Sequence, residues 1–328
     1  MLIGFSVGNH RSFKEITTLS LIDESGKPGS KALLFGANNS GKTNFLRAIE
    51  AMSSMVLFGR SCWLPFKMDE ECANEPSFFE IVILAESGDR IKYGFKIRRD
   101  RVESEWLLEY KGSDDMDTPI VLFERGQTEI NHHVNVSERE LFLNAISILQ
   151  ANTVREFFDS IYIVALSANK NQVDRNILNF VNNDSELRFR LVELMKTIDL
   201  PISDPVLELP NSRGFYEAFG FLNILLFAEK KKVKLLAIDN FAESLHPLLA
   251  SKLIDIVNSM AGLQLIVLTH QARLMDEVPP SAIWLVEKDR KQASRLIRVM
   301  EYKVKPGHTS VAYLNGMCGG VPFVDIIC

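Results

Sequence analysis

GANNSGKT, Gly36 to Thr43, places two glycines five residues apart, followed by a lysine and a threonine. Gly36 and Gly41 allow backbone conformations that other residues resist. The successive N–H groups of Gly36, Ala37, Asn38, Asn39, Ser40, Gly41, Lys42 and Thr43 can then turn inward around phosphate oxygens. An apolar run, KALLF, precedes the loop; Phe45, Ala48, Ile49 and Met52 follow it at helical spacing. A helix leaving the loop points its positive end at the same anion. In this pattern Lys42 reaches the β/γ phosphates and Thr43 can place its hydroxyl on Mg²⁺.

A second element, this one ending in an acid, lies about two hundred residues on, where the apolar run KLLAID ends at Asp239. An acid there can hold Mg²⁺ through a water; the plain alternative is an Asp in a turn. Another apolar run, LQLIVL, ends at Thr269-His270, and a histidine at that tip could reach a γ-phosphate. Upstream, Ser212-Arg213-Gly214 opens a helix, so Ser212 and Gly214 form a further anion-binding terminus. One molecule has no need of two γ-phosphate sites, whereas two facing copies do. Asn240 follows Asp239 where a hydrolytic site commonly carries an acid; its amide can orient a water but cannot take its proton.

These residues need strands and helices to carry them. LIGFSV and TTLSLI read as strands around a polar NHRSFK turn, and SFFEIVILAE, RIKYGFKIRR, VESEWLLEY and PIVLFERG as an antiparallel meander. Helical periodicity is expected between Glu138 and Phe158, then a strand, IYIVALS, and a helix from Glu186 to Ile198 capped by Asp184 or Ser185. After a PNSRG turn comes a helix through Phe227, the KLLAID strand, and a helix opened by Pro247. LQLIVLTH, AIWLVE and RLIRVM add three strands. Buried strands alternating with helices imply an α/β fold with a parallel core.

The ordered set resembles the ABC-type ATPases, in the branch of the SMC, RecF and OLD proteins. It is similar to the small prokaryotic ATPases of phage-defence and abortive-infection systems, such as RloA and the Septu ATPase. NHRSF resembles their N-terminal Asn-x-Arg-Ser-Phe, which makes Arg11 a candidate nucleotide contact. GANNSGKT matches Walker A, NSRG a reduced signature motif, DNFAESLHP Walker B with the D-loop, and LTHQARLMD the switch-histidine loop. IWLVEKD and YLNGMCGGVPF resemble the closing strands and tail. The resemblance implies one ABC-type head over 1–328, with a RecA-like mixed or parallel core sheet. Its lobes would be a P-loop and antiparallel β lobe (1–130), a helical signature lobe (131–230) and a Walker B and switch-histidine core (231–328). It further implies ATP and Mg²⁺ as cofactors, with Thr43 and Asp239 on the metal. A homodimer or higher oligomer would close around ATP and serve a separate effector, a nuclease or toxin. Asp239, Asn240 and His270 would be the catalytic set, with slow hydrolysis because Asn240 lacks the carboxylate. A RecF-like DNA-repair ATPase and a non-hydrolysing scaffold are the alternatives.

Several classes are excluded by composition. A net charge of −5 over 328 residues argues against a protein that coats nucleic acid, although the basic KIRRDR and EKKKVK stretches leave local contact open. Cys62, Cys72, Cys318 and Cys328 show no paired spacing, so neither zinc nor a disulfide framework is expected. The longest apolar run, FLNILLFA, is too short for a membrane span, and the start lacks a secretory pattern, so a cytoplasmic protein is expected. No sustained heptads and no acid-rich nuclease domain are seen, and His132-His133 reads as an exposed turn.

Overall fold

The computed structural model describes residues 1–112, 118–126, 136–166, 174–200, 202, 212–260 and 262–318. In chain order the strands are β1 (Leu2–Gly8), β2 (Thr17–Ser20), β3 (Lys31–Phe35), β4 (Ser77–Leu84), β5 (Arg90–Arg98), β6 (Arg101–Tyr110), β7 (Ile120–Arg125), β8 (Ile161–Ala165), β9 (Leu235–Asp239), β10 (Gln264–Thr269), β11 (Ile283–Lys288) and β12 (Ser294–Arg298). The helices are α1 (Lys42–Phe58), α2 (Leu149–Asp159), α3 (Arg175–Asn182), α4 (Ser185–Thr197), α5 (Arg213–Lys230), α6 (Pro247–Asn258) and α7 (Thr309–Leu314).

Two six-stranded sheets result. The first is antiparallel, in the order β2-β1-β4-β5-β6-β7; the second runs β12-β11-β3-β10-β9-β8 and is parallel except for β12. The central strands β3, β9 and β10 read as nearly unbroken apolar runs because both their faces are covered. Leu33 and Phe35 of β3, Leu236 and Ile238 of β9, and Leu265 and Val267 of β10 enter one core together with α3 to α6. The alternate residues, Ala32, Leu34, Leu235, Ala237, Ile266 and Leu268, enter the other. That second core also holds α1, α2 and the inner face of the antiparallel sheet, so α1 is clamped between the sheets. Phe45 on α1 meets Phe5 and Phe13 edge-on at 5.6 and 5.9 Å. The buried Gln264 amide ties the sheets, accepting from Leu2 N and donating to Leu2 O and Gly29 O, each donation at 2.9 Å.

FLNILLFA lies within α5, which is buried nearly all round against α3, α4 and the sheet. Among the described residues no helix is long and apolar enough to cross a membrane. Asp184 caps α4, accepting from Glu186 N and Leu187 N. Cys62, Cys72 and Cys318 are free thiols; Cys328 lies outside the described residues.

Three segments differ from the sequence reading. The helix expected from Glu138 begins only at Leu149, after a 3-10 turn at Phe142–Asn144. Its cause is Glu105, buried on β6, whose carboxylate accepts from Phe142 N (2.6 Å) and Leu143 N (2.9 Å) and takes those donors from a helical ladder. RLIRVM leaves the sheet after Arg298, whose guanidinium lies 5.4 Å from the Trp284 ring and donates to Ser281 O and Ile22 O. Finally, the structure adds α3, which starts where Asp174 accepts from Asn176 N.

Candidate functional site

Phe35, Asp239 and Thr269 end three adjacent parallel strands, β3, β9 and β10, at the same edge of the sheet. Ligands in open α/β sheets bind outside that edge. The loop after β3 fills it. A Cβ on Gly36 would collide with Val286 O, and one on Gly41 (φ 112) with Ser294 Oγ and, at 2.8 Å, Ser12 Oγ. Asn39 also has left-handed backbone (φ 63). The loop, Asn44, Asn240 and His270 line a pocket of about 280 Å³.

Lys42 is 6% exposed, and its ammonium donates to Gly36 O (2.7 Å) and Ala37 O (2.9 Å), 3.4 Å from His270 Nδ1. Burial lowers the Lys42 pKa to about 8, against a partial opposing pull from Asp239. His270 is held below the ordinary imidazole range by partial burial and then by the Lys42 charge. Thr43 Oγ1 donates to Asp239 Oδ2 at 2.7 Å, and Asn240 N to Asp239 Oδ1 at 3.0 Å. Asn240 itself is exposed and sits at φ 58, with its side chain on the pocket wall. Glu243 does not line the pocket, although its charge reaches His270.

The donor set fits a phosphate chain with a divalent cation. A lysine, the glycine-containing loop and a threonine hydroxyl beside a strand-ending carboxylate border one pocket, and Ser40 Oγ is buried with no partner among the described residues. Beside the loop, Arg11, Asn39, Asn44, Leu64, Met68, Lys288 and Gln292 border a larger groove of about 510 Å³. Arg11 (φ 52) is fixed there by its N–H on Leu64 O. Of the rest of NHRSF, Ser12 borders the same groove, while Asn9, His10 and Phe13 are structural. Asn9 donates to Cys72 O and Glu75 O, and Phe13 is fully buried. His10 is also fully buried, and burial with the neighbouring Arg11 drops its pKa to about 3.

Ser212 and Gly214 stand apart from this pocket. Ser212 is the exposed N-cap of α5, with no side-chain cap hydrogen bond. A Cβ on Gly214 would lie 2.9 Å from Ser244 O, so the helix start rests on the loop after Asp239. Asn211 lies outside the described residues, as do His132 and His133. In the KIRRDR hairpin Arg98 pairs with Glu103 and Arg101 with Glu138, while Asp100 pairs with Arg139. Lys230 and Lys234 of EKKKVK likewise pair with Asp184 and Glu86.

Four residues escaped the sequence reading. Ser12 accepts from Asn44 Nδ2 (2.9 Å) and meets Ser294 N through its carbonyl (2.6 Å). Ser294 Oγ donates to Ser40 O (2.7 Å), and Lys288 Nζ to Asn39 Oδ1 (3.3 Å), so the β11–β12 hairpin braces the loop from behind. Ser12 and Lys288 lie within NHRSF and IWLVEKD, but nothing in those stretches singles them out, and no local pattern marks Ser294. Glu217 did leave a signal, as the lone charge between Arg213 and Glu229 in an apolar helix.

A family model described as "AAA domain, putative AbiEii toxin, Type IV TA system" matches residues 31–276, the span from β3 past His270. Among solved structures, an SMC head domain from Thermotoga maritima is 14% identical over 91% of this chain and 98% of that one, with a TM-score of 0.50. An SMC head bound to the C-winged helix domain of ScpA is 12% identical over 90% and 96%, at 0.53. An SMC head with an extended coiled coil, bound to the C-terminal domain of ScpA derived from Pyrococcus furiosus, is 11% identical over 96% and 99%, at 0.52. At such identities the likeness is one of fold. No curated protein gives a significant match.

Proposed function

The chain belongs to that AAA-domain family and has the fold of an SMC-type P-loop ATPase head; from this premise we propose that it is an ATP-dependent switch for a separate effector in an anti-phage defence system. Two copies close around ATP, hydrolysis is slow, and the closed state restrains or releases a nuclease or toxin. The chain acts as one head over 1–328, with the three lobes set out above. One contact supports this above the rest: Thr43 Oγ1 on Asp239 Oδ2 at 2.7 Å, beside a buried Lys42, joins the phosphate and cation halves of a site within one chain.

Each residue has a task. The N–H groups of the loop and Lys42 bind the β/γ phosphates, while Thr43 and Asp239 hold Mg²⁺, which supplies charge neutralisation on the phosphate oxygens when bound. His270 faces the terminal phosphate, and Arg11 the nucleoside end of the groove. Ser212 and Gly214 meet the nucleotide of the facing copy. Asn240 orients the attacking water without accepting its proton, because a neutral amide has no basic site at pH 7. The net charge of −5 favours this reading over direct action on DNA, since such a protein needs cations for phosphates. The family description names a toxin of a type IV toxin–antitoxin system, which agrees with a role in toxin-linked defence.

Sedimentation velocity at low salt with ATP and Mg²⁺ tests the reading, and a monomer that binds no nucleotide ends it. Phosphate release by Asn240→Glu should rise about a hundredfold over the native chain, the scale of a restored general base. Tight binding with no release from either form would favour the locked scaffold.

A further inference from the structure

Glu217 sits in the second turn of α5, 1% exposed, and is the lone acid in the helix's apolar stretch. Its carboxylate leaves the helix to accept backbone N–H groups of the loop after Asp239: Glu243 N at 2.9 Å and Ser244 N at 2.8 Å. The Ala242 N–H contributes as well. Burial raises this carboxyl's pKa while those amide donors oppose the rise. The loop they hold has left-handed backbone at Asn240 (φ 58) and Ala242 (φ 65), conformations that persist only when several contacts fix them.

The opposite side of the same loop is held by the segment carrying His270. Thr269 Oγ1 donates to Phe241 O (2.8 Å), Phe241 N to Leu268 O (2.9 Å), and Gln271 Nε2 to Leu245 O (2.7 Å). His270 lies between Thr269 and Gln271, and Lys42 Nζ is 3.4 Å from its ring. A continuous set of contacts thus runs from the phosphate pocket through Gln271 and Leu245 to Ser244, then to Glu217 and Gly214, ending at Ser212. Its non-covalent links are the 3.4 Å approach of Lys42 to His270 and the hydrogen bonds of Gln271 to Leu245 O and of Ser244 N to Glu217. The other steps follow the chain, and Gly214 packs so near Ser244 O that an added Cβ would lie 2.9 Å from it.

We propose that Glu217 is a positioning residue that makes the exposed start of α5 respond to nucleotide in the chain's own phosphate pocket. When Lys42 turns from Gly36 O and Ala37 O to a bound phosphate, His270 loses its cationic neighbour and the Thr269–Gln271 segment shifts. Gln271 passes that shift to the loop, and Glu217 passes it to the helix. Coupling inside one chain needs no second copy. Its effect on self-association, by setting how Ser212 and Gly214 are presented, rests on the ATP-closed dimer proposed above.

Hydrogen–deuterium exchange on the full chain, with and without ATP and Mg²⁺, separates these claims. In the native protein, nucleotide should slow exchange over residues 213–220 by about fivefold, at the lower end of ordinary coupling between sites. Glu217→Gln keeps one acceptor oxygen but turns an NH₂ toward an N–H donor. It should bind ATP within about twofold of native while losing the nucleotide-dependent difference. A merely structural role would speed exchange equally in both states and leave that difference intact, which would overturn the proposal. So would a native chain that binds ATP with no change at α5. If Glu217→Gln does not fold, Gln271→Met cuts the link at Leu245 O and should abolish the same difference; its persistence there counts equally against the proposal. A native chain that shows the change yet stays monomeric supports the coupling and refutes the dimer alone.

Discussion

Two helix N-termini in this protein offer donors to an anion, and they are built in opposite ways. Before α1 the backbone is wrapped: Ser40 and Lys42 are buried, and Ser12 and Ser294 close on Gly41 from behind. Before α5, Ser212 is exposed and its hydroxyl caps nothing. A serine N-cap that makes its bond stabilises a helix by about 1 kcal/mol, so α5 forgoes that and keeps its first donors uncommitted. One terminus is finished within a single chain, and the other is left open at the surface. The contrast matches a head that holds nucleotide alone and completes the nucleotide's surroundings only against another copy.

The largest break comes from the finished side. Lys42→Ala removes a buried ammonium that donates to Gly36 O and Ala37 O in the free pocket, and the two charge-assisted bonds it would make to a bound phosphate set the scale of the loss. ATP affinity by equilibrium titration should fall on the order of a thousandfold. Because this change also takes the cation away from His270, the exposed start of α5 should show, without nucleotide, part of the exchange difference that ATP produces in the native chain.

Proton uptake sharpens the same side. Free Lys42 has a pKa lowered to about 8, while a lysine on phosphate stays protonated. Below pH 8 the ammonium is already present and affinity should be flat. Above it, binding must take up a proton, and affinity should drop about tenfold per pH unit. In Lys42→Ala the slope should vanish. The open terminus has no such group, so Ser212→Ala should leave monomer binding and its pH profile alone and weaken ATP-dependent association by about fivefold, the value of one hydrogen bond. Sedimentation across a concentration series reads this directly.

The same asymmetry explains what the sequence made legible. Gly36, Gly41, Lys42 and Thr43 act through neighbours in the chain, so local spacing exposes them. Asp239 and His270 end long apolar strands, and β9 and β10 pair as that pattern requires. The alternation that buries both faces of the central sheet was likewise readable. Contacts between distant segments were not: Ser294 reaches Ser40 across 254 residues, and Glu105 reverses a helical pattern at Phe142 from 37 residues away. Hydrophobic periodicity reports which face is buried and is silent on which buried carboxylate will claim a backbone donor.

The smallest effect tests whether the bracing behind the loop has functional weight. Ser294→Ala removes the donor to Ser40 O but leaves the backbone bond from Ser294 N to Ser12 O, so the β12 edge stays attached. Gly41 then has more room on the side where Ser294 Oγ crowds it. The loop loses preorganisation rather than a ligand, and ATP affinity should fall only about threefold, below the full value of a net hydrogen bond. The same change should leave association of the ATP-saturated protein untouched, because nothing at α5 depends on Ser294. A loss in association equal to that of Ser212→Ala would show that the two termini are one site, and the contrast between them would collapse.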